Sequence, residues 1–343
     1  MSRARKIPVI GTGKLTMKTN NDNTNPSERG LALARREIWI TLLLYPGHTL
    51  PTAAAPVVVA VGLALRDHVF AALPTVLAFL GSWLIHIAGV LTDNLELLRR
   101  HPAVSEHPEL QDAIERHTLT LRGLKMAIVA CVVAAVLAGL YLVLLGGDLV
   151  LALGIVGLVA GLAYAGGPLP YARSGMAEPI FFIMFGIVAE AGTYYIQTAA
   201  THGAPSGWVS SLRMVPWDVF VVGLPIGALI TNVLIIDDIR DHAFDAAKGW
   251  RTGTVRFGVG WSRVRYLVLT AWAYLAPIFF WCGLGYNAWI LLPLLTLPSA
   301  WTIARMVCTH ERTADLVAMT PRASRLSLSF AVLLAIGLAI GGR

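Results

Sequence analysis

The chain has 343 residues, 56% of them hydrophobic and only 14% charged. A water-soluble domain carries roughly 25% charged residues, so this composition excludes one. The net charge of +7 would suit a nucleic-acid partner, but the bases gather in loops on one side of a membrane, which accounts for them without one.

Residues 1–36 are polar, rich in Asn, Thr, Lys and Arg, and lack the apolar core of a signal peptide. They are expected to form a disordered cytoplasmic tail, followed by a membrane domain over 37–343. Nine apolar blocks of about 20 residues follow. They lie near 46–65, 70–91, 123–145, 148–165, 178–198, 217–238, 264–283, 288–306 and 326–341. The expected fold is all-α and polytopic. With the N-terminus in the cytoplasm, all 27 Lys and Arg residues except Arg66, Arg213 and Arg343 fall in the tail or the cytoplasmic loops. That asymmetry sets the orientation. Cys131, Cys282 and Cys308 lie far apart in apolar surroundings and show neither metal nor disulfide spacing.

The second loop opens on Thr92-Asp93-Asn94-Leu95-Glu96, where Asp93 and Glu96 share a helical face. The polar stretch after it includes Pro108–Arg116, which predicts a short amphipathic helix capping the cytoplasmic mouth. The sixth loop carries Asp237, Asp241 and Asp245 at the end of an apolar run. Their spacing puts all three on one helical face, about 6 Å apart along the axis. At an effective dielectric of about 20, two such carboxylates repel by roughly 3 kcal/mol. A row of acids therefore asks for cations, and hard Mg²⁺ commonly arrives with a phosphate. Gly249 is a helix stop, and Lys248 and Arg251 beside it suit phosphate oxygens. Asp238 is off the row. A solvated helix end of mixed charge is the plainer reading of the same residues.

Four stretches carry a resemblance. The first span holds Tyr45-Pro46-Gly47-His48-Thr49-Leu50-Pro51. The fourth loop runs from Tyr164 through Pro168, Pro170, Tyr171, Gly175 and Glu178 to Phe181, Phe182, Phe185 and Gly186. Gly192-Thr193-Tyr194-Tyr195 and Gln197 follow, and the last stretch runs from Leu224-Pro225 to Gly258 with the Asp row. Together they resemble the UbiA-type intramembrane prenyltransferases, most closely the 1,4-dihydroxy-2-naphthoate polyprenyltransferase branch. The first acidic motif departs from that pattern: Thr92 replaces an Asn, Glu96 replaces an Asp, and Arg100 stands where a further acid belongs.

The resemblance implies a nine-helix bundle with a cytoplasmic cap in the bacterial cytoplasmic membrane. It implies transfer of an isoprenoid chain from an allylic diphosphate to an aromatic ring, 1,4-dihydroxy-2-naphthoate or a relative, in menaquinone-type or specialised quinone biosynthesis. Mg²⁺ would be held by Asp93, Glu96, Asp237, Asp241 and Asp245. Lys248, Arg251, Arg240 and Arg116 would clamp the diphosphate. Tyr164 and Asp241 would serve catalysis. Asn94, Asn232, Tyr194, Tyr195, Glu178 and Gln197, with Phe181, would line the substrate pocket. A terpene cyclase of the same superfamily, or a non-catalytic lipid-binding or transport protein, are the alternatives.

Overall fold

The computed structural model describes Trp39 and residues 49–100, 119–168 and 170–341. The tail of residues 1–36, the first-span motif up to His48, and the expected cap helix Pro108–Arg116 lie outside the described residues.

Every long element is a helix, as a chain crossing lipid requires, because no water is there to satisfy backbone groups. In chain order they are α1 (Thr49–Arg66), α2 (Ala72–Arg100), α3 (Leu121–Ala163), α4 (Ala177–His202), α5 (Trp217–Ala247), α6 (Gly253–Leu284), α7 (Ala288–Thr309) and α8 (Met319–Gly341). Helix α3 has 43 residues, about 65 Å if straight and twice a bilayer core. Gly147 breaks it with φ 65° and ψ −153°, and the two limbs fold back together. Both limb ends return to the end of α2. Leu119 and Leu124 cluster with Leu91, Leu95 and Leu98, and a Cβ on Gly161 would stand 2.6 Å from Ile85 Cγ2. Counting α3 twice and including the shorter α1, the described residues cross nine times, matching the nine blocks of the sequence.

Helix α5 is central. Its apolar window is 83% buried, against 11% for α3, which faces lipid. The run Ile226–Ile236 is apolar on nearly every side, so it packs all round. Small residues let α4 and α5 cross closely: a Cβ on Gly227 would stand 2.8 Å from the Gly186 Cα. Helix α4 is locally π-helical over Met184–Val188 at that crossing. The central helix ends where its sequence predicts, at Ala247, with Gly249 at φ 71°. Thr252 then caps α6, its hydroxyl accepting from the Val255 N–H. The central helix thus delivers three acids to the end of the bundle, and the chain turns sharply back.

Candidate active site

An apolar cavity of about 470 Å³ lies among α2, α3, α4 and α5. Asp237 lines it at one end together with Tyr164 and Tyr171. A chain of aromatic rings runs along it from there. Tyr171 meets Tyr164 edge-on at 5.5 Å, Tyr164 meets Phe181 at 5.5 Å, and Phe181 meets Phe185 at 5.3 Å. His86 on α2 continues the row, 5.8 Å from Phe185. Burial, with the charges of Asp93, Asp238 and Asp237 nearby, pushes the Tyr164 phenol well above its ordinary pKa. Burial pushes Tyr171 up too. Both remain neutral phenols, offering ring faces rather than phenolates.

The acidic rows meet at the mouth of this cavity. Asp237 accepts hydrogen bonds from Arg240 Nη1 and Thr320 Oγ1, both at 2.6 Å. Asp241 accepts from Arg240 Nε at 2.7 Å and from Nη2 on its other oxygen. Asp245 is buried and accepts from Thr252 Oγ1 at 3.2 Å. From the end of α2, Asp93 lies near enough for its charge to interact with those of Asp241 and Asp245. Arg173, in a 3-10 turn after α3, stands 3.8 Å from Asp93. Its guanidinium stacks over Trp250 at 4.4 Å, and its carbonyl accepts the Arg251 N–H at 2.9 Å. Gly175 is required beside it: φ is 78°, and a Cβ would stand 2.7 Å from the Arg251 carbonyl oxygen. The fourth and sixth loops are therefore one surface, with acids and bases alternating around an apolar hole.

Among the described residues no three His, Cys, Asp or Glu side chains converge as a closed metal cage. Arg240 pairs with both Asp237 and Asp241. Mg²⁺ does not require such a cage. It usually takes one or two protein carboxylates and completes its shell with water and phosphate oxygens. The hard carboxylates of Asp93, Asp237, Asp241 and Asp245 on two facing helix ends fit that mode.

The UbiA prenyltransferase family model matches residues 53–328, most of the chain and all of this site. The chain belongs to the UbiA prenyltransferase family. It is an integral membrane prenyltransferase. It is 27% identical over 234 residues to the 1,4-dihydroxy-2-naphthoate octaprenyltransferase of Haemophilus influenzae, covering 66% of this chain and 71% of that one. The protein of the same name from Escherichia coli is 26% identical over 299 residues, 85% of this chain and 91% of the other. The solved UbiA homolog of Aeropyrum pernix superimposes with a TM-score of 0.62 at 18% identity, covering 86% of this chain and 98% of that one. The UbiA homolog of Archaeoglobus fulgidus, solved with DMAPP and Mg²⁺, has a TM-score of 0.51 at 14% identity, covering 86% and 99%. These two establish the UbiA fold.

Within this UbiA protein, several residues read from the sequence as pocket residues sit elsewhere. Tyr194 donates to Asp67 at 2.8 Å in a cluster with Arg66 at the opposite end of the bundle. Tyr195 is fully buried and donates to the Gly146 carbonyl at 2.9 Å, pinning the α3 turn. Gln197 donates to the Thr193 carbonyl within its own helix. Asn232 donates to Tyr266 O and Thr270 Oγ1, tying α5 to α6. Asn94 donates back to the Val90 carbonyl. Glu178 pairs with Arg265 between α4 and α6. None of these six lines the cavity. Each is polar because it joins helices or satisfies backbone in a water-poor interior. Glu96, three residues after Asp93 on the same helix, pairs with the exposed Arg99 at 2.9 Å. Lys248 lies over the Phe244 ring at 5.4 Å, and Arg251 is exposed beside it. Arg116 lies outside the described residues.

Three contributors do not emerge from the sequence reading: Arg173, His86 and Thr320. Arg173 carries a signal, since it is the single base of the fourth loop.

Proposed function

We propose that this protein transfers an isoprenoid chain from an allylic diphosphate to a hydroxyaromatic acceptor, 1,4-dihydroxy-2-naphthoate or a related ring, with Mg²⁺ as its metal. The observation that carries this is the junction of an acid-and-base mouth with an aromatic-walled, apolar cavity. A prenyl diphosphate has the matching shape, a doubly phosphorylated head on a hydrocarbon tail. The names of the bacterial relatives supply the acceptor.

Asp93, Asp237, Asp241 and Asp245 would hold the metal. When bound, Mg²⁺ supplies positive charge against the charge that builds on the departing diphosphate. Arg173, Arg251 and Lys248 bind the oxygens left over, Arg173 from a position fixed by its stack on Trp250. Phe181 and Tyr164 face the allylic carbon with their rings, which favours the developing cation while keeping water out. The neutral phenol of Tyr164 is suited to this, because it does not itself capture the cation as a phenolate would. The membrane is the bacterial cytoplasmic membrane with the mouth on the cytoplasmic side, following the distribution of Lys and Arg.

The test is a panel. Membranes carrying the protein are given Mg²⁺, allylic diphosphates of increasing length, and hydroxylated naphthoates and benzoates. The expected outcome is a prenylated ring whose yield depends on metal, donor and acceptor together. Diphosphate release with a cyclic hydrocarbon and no need of acceptor would instead mark a terpene cyclase.

A further inference from the structure

The cavity that would hold the isoprenoid tail has a definite depth. Its wall runs from Val90 near the mouth to Leu77 on α2, from Tyr164 to Val150 on the second limb of α3, and from Phe181 to Ile196 on α4. These stretches advance by 13, 14 and 15 residues, about 20–22 Å each at the helical rise. Three helices thus give one depth. The far end is closed. Val150 and Ile196 pack there against Gly146, where a Cβ would stand 2.3 Å from Val150 Cγ2 and 2.8 Å from Ile196 Cδ1. Tyr195 holds the same turn through its hydrogen bond to the Gly146 carbonyl.

The cavity exists because α2 and α3 part. They touch near the mouth, where a Cβ on Gly161 would stand 2.6 Å from Ile85 Cγ2 and one on Gly89 would stand 2.9 Å from the Gly161 carbonyl oxygen. Further down they separate. A Cβ on Gly157 would meet only Ile85 Cδ1, at 4.0 Å, and one on Gly154 would meet nothing within 4 Å. Both glycines line the cavity. By helical rise they lie about 10 and 15 Å below Tyr164.

An extended polypeptide covers about 3.5 Å per residue of three chain bonds, roughly 1.2 Å per bond. At that reach an isoprene unit, with four chain bonds, spans about 5 Å, and the cavity matches about four units in depth. Resting on the prenyltransferase reading, we propose that the cavity gauges the donor: it takes the first four isoprene units extended, and the bare wall at Gly157 and Gly154 admits the third and the fourth. Laid from Tyr164, whose ring faces the allylic carbon, the second unit ends at Gly157. The third ends at Gly154, and the fourth reaches the closed floor at Val150. A side chain at either glycine would stand in the tail's path at that depth. Towards the far end the wall includes Leu140 and Leu151, which are exposed. Units beyond the fourth leave there into lipid, whose tails are as apolar as the wall itself.

The experiment uses the full chain purified in detergent, with Mg²⁺, the hydroxyaromatic that wild type uses best, and allylic diphosphates of one to four isoprene units. Donor kcat/KM is compared among wild type, Gly157→Phe and Gly154→Phe. Gly157→Phe is expected to keep one- and two-unit donors within about twofold of wild type and to lose about tenfold or more with three and four units, the scale of overpacking. Gly154→Phe is expected to lose only the four-unit donor. Turnover of the one-unit donor shows that each variant is folded. Where a phenylalanine variant does not fold, Gly157→Leu and Gly154→Leu carry the same graded comparison with a smaller side chain. An active wild type whose folded variants use the four-unit donor as well as it does, or lose the same donors at both positions, would overturn the gauge alone. A wild type that prenylates no hydroxyaromatic would overturn the reading on which it rests.

Discussion

Arg173 reaches Asp93 across the mouth of the cavity, Nη2 to Oδ1 at 3.8 Å, from a loop about 80 residues further along the chain. Its guanidinium is held flat on Trp250 and its backbone is tied to Arg251. One side chain thus joins the first acidic loop, the fourth loop and the sixth. Arg173→Ala is expected to lower kcat/KM by about ten- to a hundredfold, mostly through donor KM. Arg173→Lys should recover part of this, since it keeps the charge and loses the planar stack. Steady-state kinetics with the donor varied reads both.

Arg240 occupies Asp237 and Asp241, so a metal must compete with it for those oxygens. Arg240→Ala is therefore expected to reduce the Mg²⁺ concentration that gives half the maximal rate. A Mg²⁺ titration of activity checks this. An increased requirement would mean that Arg240 helps to position the carboxylates for the metal.

The two acids at the end of α2 differ in how much they stand to lose. Glu96 pairs with the exposed Arg99, whereas Asp93 pairs with Arg173 across the mouth and interacts with the acids of α5. Asp93→Ala is expected to cost at least tenfold more activity than Glu96→Ala, at equal membrane insertion.

The α4–α5 crossing has no room for a side chain. A Cβ on Gly223 would stand 2.3 Å from the Gly186 carbonyl oxygen and 2.4 Å from a carboxylate oxygen of Glu190. Gly223→Ala is expected to destabilise the bundle by about 1–3 kcal/mol, the usual cost of overpacking. A thermal melt of the purified protein measures it. Gly139 on α3, where an added Cβ would meet nothing within 4 Å, makes a neutral control.

Tyr164 works through its ring. Its phenol is pushed well above the ordinary value by burial and nearby acids, so it stays protonated throughout the neutral range. Tyr164→Phe is expected to keep most activity and leave the pH–rate profile unchanged between pH 6 and about 9. Tyr164→Leu should lose about tenfold or more, because the cation loses a ring face. A pH–rate profile of the three proteins separates the roles.

What the sequence makes legible follows from periodicity and charge. The helical spacing of Asp237, Asp241 and Asp245, the stop at Gly249 and the break between the blocks 123–145 and 148–165 are local properties, and the fold keeps all three. Direction across the bundle is another matter. A tyrosine in a spanning helix reads alike whether it faces a cavity or a neighbouring helix, so Tyr194 and Tyr195 give no sign that they bind Asp67 and Gly146. Asn232 looks like a pocket residue because a lone amide in an apolar run is costly, and Thr270 on α6 is what offsets that cost. His86 and Thr320 reach the site only through tertiary packing, from helices whose sequence around them is ordinary.

The central claim is that the acids of α2 and α5 form one site that activates an allylic diphosphate for an aromatic acceptor. The most direct measurement is Mg²⁺-dependent diphosphate release from an allylic donor, with and without 1,4-dihydroxy-2-naphthoate, in wild type, Asp241→Ala and Asp245→Ala. The account predicts release coupled to prenylated ring in wild type, and its loss in each variant while the protein still inserts. Full activity in either variant would contradict it.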